Sequence, residues 1–176
     1  MVVETEEPES VLHVVAAAGD SGRHLQCASK IHAKAGYLLT MAAPSSRGDT
    51  PLHCAARAGN TEMVALLINL AAETTARDLV RMQNRRGETA LHEAIRSGSV
   101  KMVKALLGVD KGLASVVAKD GTSPLYLAST LGYSKIAIEL HDCGDEPSYS
   151  GPRGQNALHA AVLHDHKGIT FLHNIN

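Results

Sequence analysis

Aromatic side chains are scarce: they make up 3% of the 176 residues, with one Phe and no Trp. Conventional globular cores draw much of their bulk from aromatic rings. Alanine, leucine and valine dominate the apolar positions instead. This composition is more typical of thin, closely stacked helices than of a protein with a single large core.

An excess of charge of one sign is also missing, since the formal net charge is -1. No global field therefore attracts nucleic acid or an anionic membrane. No window approaches the roughly 18 consecutive apolar residues of a membrane span. The sequence predicts no spanning segment in this chain.

Cysteines are few and unpatterned. Cys27, Cys54 and Cys143 form an odd set without CxxC spacing, which favours a reducing intracellular compartment over a disulfide framework. Residues 1–9 are acidic and lack the basic and apolar regions of a signal peptide. We expect them to be a disordered lead, and the protein to be cytoplasmic.

One stretch of the chain, residues 48–59, carries the start and stop signals of a helix. Thr50 is a favoured N-cap, Pro51 suits the first helical position, and Gly59 can adopt the left-handed conformation that ends a helix. The same signals recur along the chain. This recurrence predicts a repeat array.

Alignment on the cap gives five copies of the motif. Each begins at a residue that favours the N-cap: Ser10, Thr50, Thr89, Ser123 and Asn156. Two residues later a leucine recurs: Leu12, Leu52, Leu91, Leu125 and Leu158. The next position carries His13, His53, His92, Tyr126 and His159. Nine residues after the cap stand Gly19, Gly59, Gly98, Gly132 and, as the one departure, Asp165.

A second helix is predicted after each of the first four copies. In copy two the apolar residues Met63, Val64, Leu67 and Leu70 form one stripe of an amphipathic helix. Cap-to-cap spacings are 40, 39, 34 and 33 residues. The two longer spacings predict extra links, and we expect the second link, residues 72–82, to fold back onto the stack.

Residues 48–59 resemble the ankyrin-repeat signature, whose period is about 33 residues. The shared positions are Gly48, Thr50, Pro51, Leu52, His53, Ala55, Ala56 and Gly59. The resemblance implies an all-α solenoid of helix–turn–helix units joined by hairpin loops. It implies one domain over residues 10–176, with repeats that start near 10, 50, 89, 123 and 156: four full repeats and a partial fifth.

A narrower resemblance concerns residues 86–94 and 151–161, which are similar to plant ankyrin proteins of the accelerated-cell-death type. The long links after copies one and two resemble that group too. These proteins carry a C-terminal membrane domain and act in defence and cell-death signalling. The resemblance implies such a role, and a place at the inner face of the plasma membrane if this chain is part of a longer member.

The histidines and cysteines that could act in catalysis or metal binding are better explained by structural roles. The recurring histidines match the ankyrin position whose imidazole bonds the capping hydroxyl and the neighbouring hairpin. His164, Asp165 and His166 lack a spaced further ligand and make only a weak zinc signal. His53 and Cys54 are helix neighbours about 100° apart, so they do not converge as a catalytic pair. We expect no enzyme activity, no metal and no cofactor.

The hairpin tips are more informative about function. If the repeats stack regularly, Arg47, Arg85 or Arg86, Lys119 and Arg153 form a basic ladder along one edge. The predicted partner-binding residues combine this ladder with its neighbours: Arg47, Asp49, Arg57, Arg85, Arg86, Glu88, Arg96, Lys119, Thr122, Arg153 and Gln155. One interpretation is a groove for an acidic partner segment, and the other is charged tips that serve solubility. The interspersed acids argue against nucleic acid.

The leading functional hypothesis is a monomeric, non-catalytic scaffold for protein–protein interaction. The alternative is the soluble part of a membrane-anchored regulator whose spanning domain is missing; copy five would then expose Leu158, Ala161 and Val162. An enzyme is a distant third.

Overall fold

The computed structural model describes residues 10–41, 47–143 and 147–163, and these residues contain ten α-helices, nine of them arranged in two rows. The helices are α1 (Val11–Ala18), α2 (Gly22–Lys34), α3 (Pro51–Ala58), α4 (Thr61–Leu70), α5 (Glu73–Arg81), α6 (Ala90–Arg96), α7 (Val100–Val109), α8 (Pro124–Thr130), α9 (Ser134–His141) and α10 (Ala157–Leu163). Short 3-10 segments occupy Gly36–Leu39, Lys111–Ser115 and Pro152–Gly154. These residues contain no strand beyond one isolated bridge between Ser150 and Asn156.

The helices stack as a solenoid. The first helix of each copy contacts the first helix of the next, which gives the row α1, α3, α6, α8 and α10. The second helices α2, α4, α7 and α9 form the other row, and each packs on its own partner. The predicted all-α solenoid of helix–turn–helix units is therefore confirmed.

Each first helix starts at its cap residue. Thr50 accepts a hydrogen bond from the backbone N–H of His53 at 3.4 Å, and Ser123 accepts one from that of Tyr126 at 3.1 Å. The amide oxygen of Asn156 accepts from the backbone N–H of His159 at 3.0 Å. Each bond satisfies a donor that the start of a helix leaves without an intrahelical partner.

The core is built from aliphatic side chains, as the shortage of aromatics predicts. The motif leucines of the first four copies, Leu12, Leu52, Leu91 and Leu125, are fully buried between the rows. In copy five Leu158 is 41% exposed, whereas Ala161 is buried, contrary to the expectation for that residue. The side chain of Val162 lies outside the described residues, as do residues 1–9 and 164–176.

The second long link forms an additional helix, α5, that the sequence did not predict. Leu79 and Val80 on this helix are buried against the stack, so the expected folding-back is observed. Arg81 and Arg77 pair with the buried carboxylate of Asp110, which also accepts from the backbone N–H of Gly112 at 3.1 Å. The Arg81 hydrogen bond is the main cause that lowers the pKa of Asp110.

Copy four packs differently because Tyr126 replaces histidine. The Tyr126 ring lies against the backbone of Gly151 in the next hairpin, and its hydroxyl donates to Oε1 of Gln155 at 2.6 Å. A Cβ at position 151 would collide with the ring. Gly151 lies five residues before the cap of copy five. The same position before the caps of copies three and four carries Asn84 and Ala118, and each of these follows a copy that has histidine in place of Tyr126. The larger ring therefore requires the glycine.

We predict that Gly151→Ala lowers the free energy of unfolding by about 1–3 kcal/mol, because the added methyl group overpacks a filled contact. Urea denaturation of both proteins measures the loss. In a Tyr126→His background the same substitution should cost much less. An equal cost in both backgrounds would show that the ring is not the reason for the glycine.

Candidate functional site: the hairpin edge

The recurring histidines tie each repeat to the next hairpin. The Nε2 atom of His13 lies 2.9 Å from the backbone oxygen of Asp49, and that of His53 lies 2.9 Å from the backbone oxygen of Glu88. Because a carbonyl oxygen can only accept, each Nε2 carries the proton and donates. In copy three His92 approaches the Thr122 carbonyl, but more loosely than an ordinary hydrogen bond. These side chains are structural connectors.

The other ring nitrogen completes the cap. Nδ1 of His53 accepts from the backbone N–H of Thr50 at 3.3 Å and lies 2.8 Å from its hydroxyl. His92 makes the same pair of contacts with Thr89, both at 3.2 Å. Burial lowers the pKa of His53, and it lowers that of His92 to about 4. Both imidazoles are therefore neutral at physiological pH.

Backbone hydrogen bonds align successive hairpins. The N–H of Arg85 donates to the oxygen of Arg47 at 2.8 Å, and the N–H of Lys119 donates to the oxygen of Arg86 at 2.9 Å. The equivalent residue in the fourth hairpin is Pro152, which has no N–H. The series of bonds therefore stops there. Arg153 is exposed in this hairpin, and its place in the ladder stays a prediction.

Three residues expected on the exposed edge are buried instead. Asp49 is 2% exposed and Glu88 is 4% exposed, and Thr122 occupies the equivalent buried position. Each precedes a cap residue, where the chain turns from the hairpin into the helix. The expectation that these three neighbours of the ladder are accessible to a partner is therefore wrong.

Both buried carboxylates pair with arginines of the first-helix row. Arg57 pairs with Asp49, and Arg96 pairs with Glu88. Glu93 lies between the two arginines, 3.6 Å from Nη1 of Arg57 and 3.5 Å from Nη1 of Arg96. The predicted binding residues Arg57 and Arg96 are therefore engaged within the protein, and sequence reasoning missed Glu93.

Asn84 is a further residue that the sequence analysis missed. Its Nδ2 donates to Asp49 at 2.9 Å, and its Oδ1 accepts from the backbone N–H of Arg86 at 2.9 Å and of Glu88 at 3.1 Å. Burial would raise the pKa of Asp49, but hydrogen bonds from Arg57 and Asn84 outweigh it and lower the value. The pKa of Glu88 is lowered in the same way, chiefly by Arg96 against the effect of burial.

Five cations of the hairpins are exposed and form no ion pair with any residue the structure describes: Arg153 of the fourth hairpin and four residues of the first three hairpins. The latter four make up the surface considered next. They are Arg47, Arg85, Arg86 and Lys119, here called the basic edge. Two adjoining depressions, of about 200 and 410 Å³, lie beside them and share Arg86 and Arg96 in their walls. Because the two depressions share these walls, they and the basic edge form one continuous surface across three hairpins.

The other candidate residues lie apart from this surface or outside the described residues. Gln155 lies in the fourth hairpin, where it is exposed and accepts a hydrogen bond from the hydroxyl of Tyr126 on α8. Cys54 is buried, and Nη2 of Arg57 donates to its sulfur at 3.6 Å. His164, Asp165 and His166 lie outside the description. Within residues 10–41, 47–143 and 147–163, no group of three or more His, Cys, Asp or Glu residues could hold a metal ion.

Stacked helix pairs with projecting hairpins and a charged groove define a helical-repeat protein. A family model described as Ankyrin repeats (3 copies) matches residues 12–115. The chain belongs to the ankyrin-repeat family. Repeats of this family generally mediate protein–protein interaction, and the proteins are typically non-catalytic scaffolds. No curated protein matches the chain. None of the helices in the described ranges has the length and apolar character to cross a membrane.

We predict that stability falls as the pH drops from 7 to 5. A histidine with a pKa near 4 in the folded state and 6.5 in the unfolded state binds fewer protons when folded, so acid favours unfolding. His92 should account for about 2 kcal/mol of this loss, measured by urea denaturation at the two pH values. His92→Gln should flatten the dependence. An unchanged slope in His92→Gln would contradict the assignment.

We also predict different roles for two neighbouring arginines. Arg96→Met leaves the buried Glu88 carboxylate without its main partner and should lower the free energy of unfolding by about 1–3 kcal/mol. Arg86→Met removes an exposed cation without an ion pair and should change it by less than about 0.5 kcal/mol. Thermal or urea unfolding compares the two. Equal losses would show that the ion pair does not distinguish them.

Proposed function

We propose that this chain is a non-catalytic protein-binding module whose basic edge binds an acidic segment of a partner protein. The observation that supports this proposal is that some cations of this surface are paired with carboxylates of the protein and others are not. Arg57 and Arg96 are neutralised by buried carboxylates, whereas Arg47, Arg85, Arg86 and Lys119 are exposed without ion pairs among the described residues.

The basic edge differs from an ordinary solubilising surface in the clustering of its cations, although Asp120 stands beside Lys119. Surfaces that serve solubility intersperse charges of both signs. Here backbone hydrogen bonds hold the like charges of Arg47 and Arg85, and of Arg86 and Lys119, on adjacent hairpins. Their mutual repulsion falls when a negatively charged partner binds. Charge complementarity of this kind mainly raises the association rate and the specificity.

A protein partner suits this surface better than nucleic acid. Glu88 and Asp120 line the same depression as Arg85 and Lys119, and Glu93 lines the neighbouring one. A nucleic acid carries a charge at every phosphate and would meet these carboxylates, whereas a peptide can carry its carboxylates only opposite the exposed cations. Single-stranded nucleic acids also require aromatic side chains for stacking, and aromatic residues make up 3% of this chain.

The finer parts of the proposal rest on the sequence. We propose a cytoplasmic monomer that acts in plant defence or cell-death signalling, supported by the resemblance of residues 86–94 and 151–161 to the accelerated-cell-death group. The same resemblance supports the alternative of a soluble region within a membrane-anchored regulator. The 41% exposed Leu158 offers an apolar contact that a further repeat would cover.

We predict that reversing the charge of the basic edge abolishes capture of partners. The variant with Arg47, Arg85 and Arg86 changed to Glu should lose specific proteins in a pull-down from plant-cell extract, because the edge would then repel acidic segments. Quantitative mass spectrometry of the captured proteins measures the loss.

The matched control changes three exposed cations on the other helix row. Arg23→Glu, Lys30→Glu and Lys34→Glu on α2 alter the net charge by the same amount. This control should retain the partners, and circular dichroism should show that both variants fold. If the edge variant keeps its partners, or if the control loses them equally, the basic edge is not the binding surface.

A further inference from the structure

We propose that the smaller of the two depressions binds a phosphorylated serine or threonine of the partner segment, with the phosphate group between Arg47 and Arg86. This inference rests on the proposed function of the basic edge and adds the chemical group that the edge recognises. It follows from the balance of charges on this surface, from the placement of the two arginines and from the carboxylate that takes their position in the next hairpin.

The arginines of the first-helix row are already neutralised inside the protein. Arg57 pairs with Asp49, and Arg96 pairs with Glu88. Glu93 lies 3.6 Å from Arg57 and 3.5 Å from Arg96. This set therefore contains one carboxylate more than it has arginines, and it offers no cation to a ligand.

The exposed residues reverse this balance. The basic edge adds four cations, and Asp120 in the wall of the larger depression adds one carboxylate. Combined with the internal set, the surface has an excess of two positive charges. A phosphorylated serine or threonine carries a charge of about −1.5 to −2 at pH 7, so one such group balances the excess.

Arg47 and Arg86 hold matching positions on adjacent hairpins, each three residues before the cap of its copy. The backbone oxygen of Arg47 accepts from the N–H of Arg85 at 2.8 Å, and that of Arg86 accepts from the N–H of Lys119 at 2.9 Å. These bonds fix the backbone from which the two side chains extend. Both side chains line the smaller depression, so both can contact a single group bound there.

A phosphate group suits two guanidinium groups better than a carboxylate does. Each guanidinium group presents a planar fork of N–H donors that binds two oxygens at once. A carboxylate has two oxygens and one charge, which a single fork already engages. A phosphate group has three terminal oxygens and nearly two charges, so both forks can bind it. The depression has a volume of about 200 Å³, several times the roughly 30 Å³ that a water molecule occupies, and so has room for the group.

Asp120 restricts the site to one phosphate group. It stands in the third hairpin where the earlier hairpins carry Arg47 and Arg86, and it lines the larger depression. Its Oδ1 accepts from the backbone N–H of Thr122 at 2.9 Å, and this bond is the main cause that lowers the pKa of Asp120. The ionised carboxylate repels a second phosphate group. The larger depression therefore receives the remainder of the partner segment.

A phosphorylated protein segment fits this surface better than a phosphorylated lipid does. Anionic membranes are ordinarily recognised by clusters of about four to eight basic residues. Here the excess is two positive charges, and the carboxylate of Asp120 adjoins the basic edge. The two connected depressions also provide a path for the chain beside the phosphorylated residue.

The test titrates the isotope-labelled full chain with synthetic peptides at fixed ionic strength and follows its amide signals by NMR. The peptides share neutral flanks of glycine and asparagine and differ only at the centre. The centre is serine, phosphoserine, one glutamate or two adjacent glutamates. The peptide with two glutamates has nearly the same charge as the phosphopeptide, so it separates the phosphate group from charge alone.

The phosphopeptide should bind about tenfold more tightly than the serine peptide and about threefold more tightly than the peptide with two glutamates. Arg47→Met should weaken phosphopeptide binding about threefold and remove its advantage over the two glutamates, since Arg47 lines only the smaller depression. Arg23→Met changes an exposed cation on α2 and should have no effect. Circular dichroism checks that both variants fold.

Three results would overturn the inference. The first is equal affinity for the phosphopeptide and the peptide with two glutamates, or no detectable binding of either. The second is an unchanged preference in Arg47→Met. The third is equal binding of inorganic phosphate alone, or binding to vesicles that contain phosphatidylinositol bisphosphate without a preference for the phosphopeptide; these would indicate a general anion site or a lipid ligand.

A pull-down from phosphatase-treated extract separates this inference from the function on which it depends. The treatment should release the same partners that the charge-reversed edge loses. If the charge-reversed edge loses its partners but the treatment releases none of them, the edge binds partners and only the phosphate group is wrong. If the charge-reversed edge keeps its partners, the proposed function itself fails, whatever the peptides show.

Discussion

The hydrogen bond from a buried imidazole to the next hairpin is the interaction on which the structure most depends. In a solenoid each repeat contacts only its neighbours, so stability lies in the interfaces between them. His13 and His53 each cross such an interface through Nε2 while Nδ1 faces the cap of their own helix. One side chain thereby orders both a helix start and the adjacent loop. In His53 the Nδ1 atom accepts from the cap N–H, which requires an uncharged ring, and burial favours that form by lowering the pKa.

The geometry of the hairpins determines which charged residues form ion pairs within the protein and which remain exposed. The residue before each cap turns inward, so Asp49 and Glu88 are buried and draw Arg57 and Arg96 into ion pairs. Residues nearer the tip stay outside, and the backbone hydrogen bonds align them. The basic edge is therefore a consequence of the same geometry that holds the stack. The aliphatic stems of Arg85 and Lys119 lie against Gly48 and Gly87 of the preceding hairpins, while their side chains remain exposed.

Much of this fold is predictable from the sequence because the same local signals recur in each copy. Cap, leucine, histidine and glycine recur in register, and each has a local physical reason to be there. The burial of Asp49 and Glu88 was not predictable, since charged residues at a turn ordinarily face water and their arginine partners lie eight residues away. Helix α5 was missed because its sequence lies between repeats. The break at Pro152 had a visible signal, a proline where neighbouring hairpins donate a backbone N–H.

Three irregular features of the array meet at one boundary, between copies four and five: Tyr126, Pro152 and Gly151. Tyr126 has no ring nitrogen to accept from its cap, so the N–H of Ser123 donates instead to Ser150 in the next hairpin at 3.0 Å. Pro152 removes the regular hairpin bond at the same interface, and the Tyr126 hydroxyl bonds Gln155. Every buried backbone donor needs a partner, so losing the histidine required these replacements. The basic edge ends where this different set of contacts begins, because its alignment depends on the hairpin bonds that the boundary lacks.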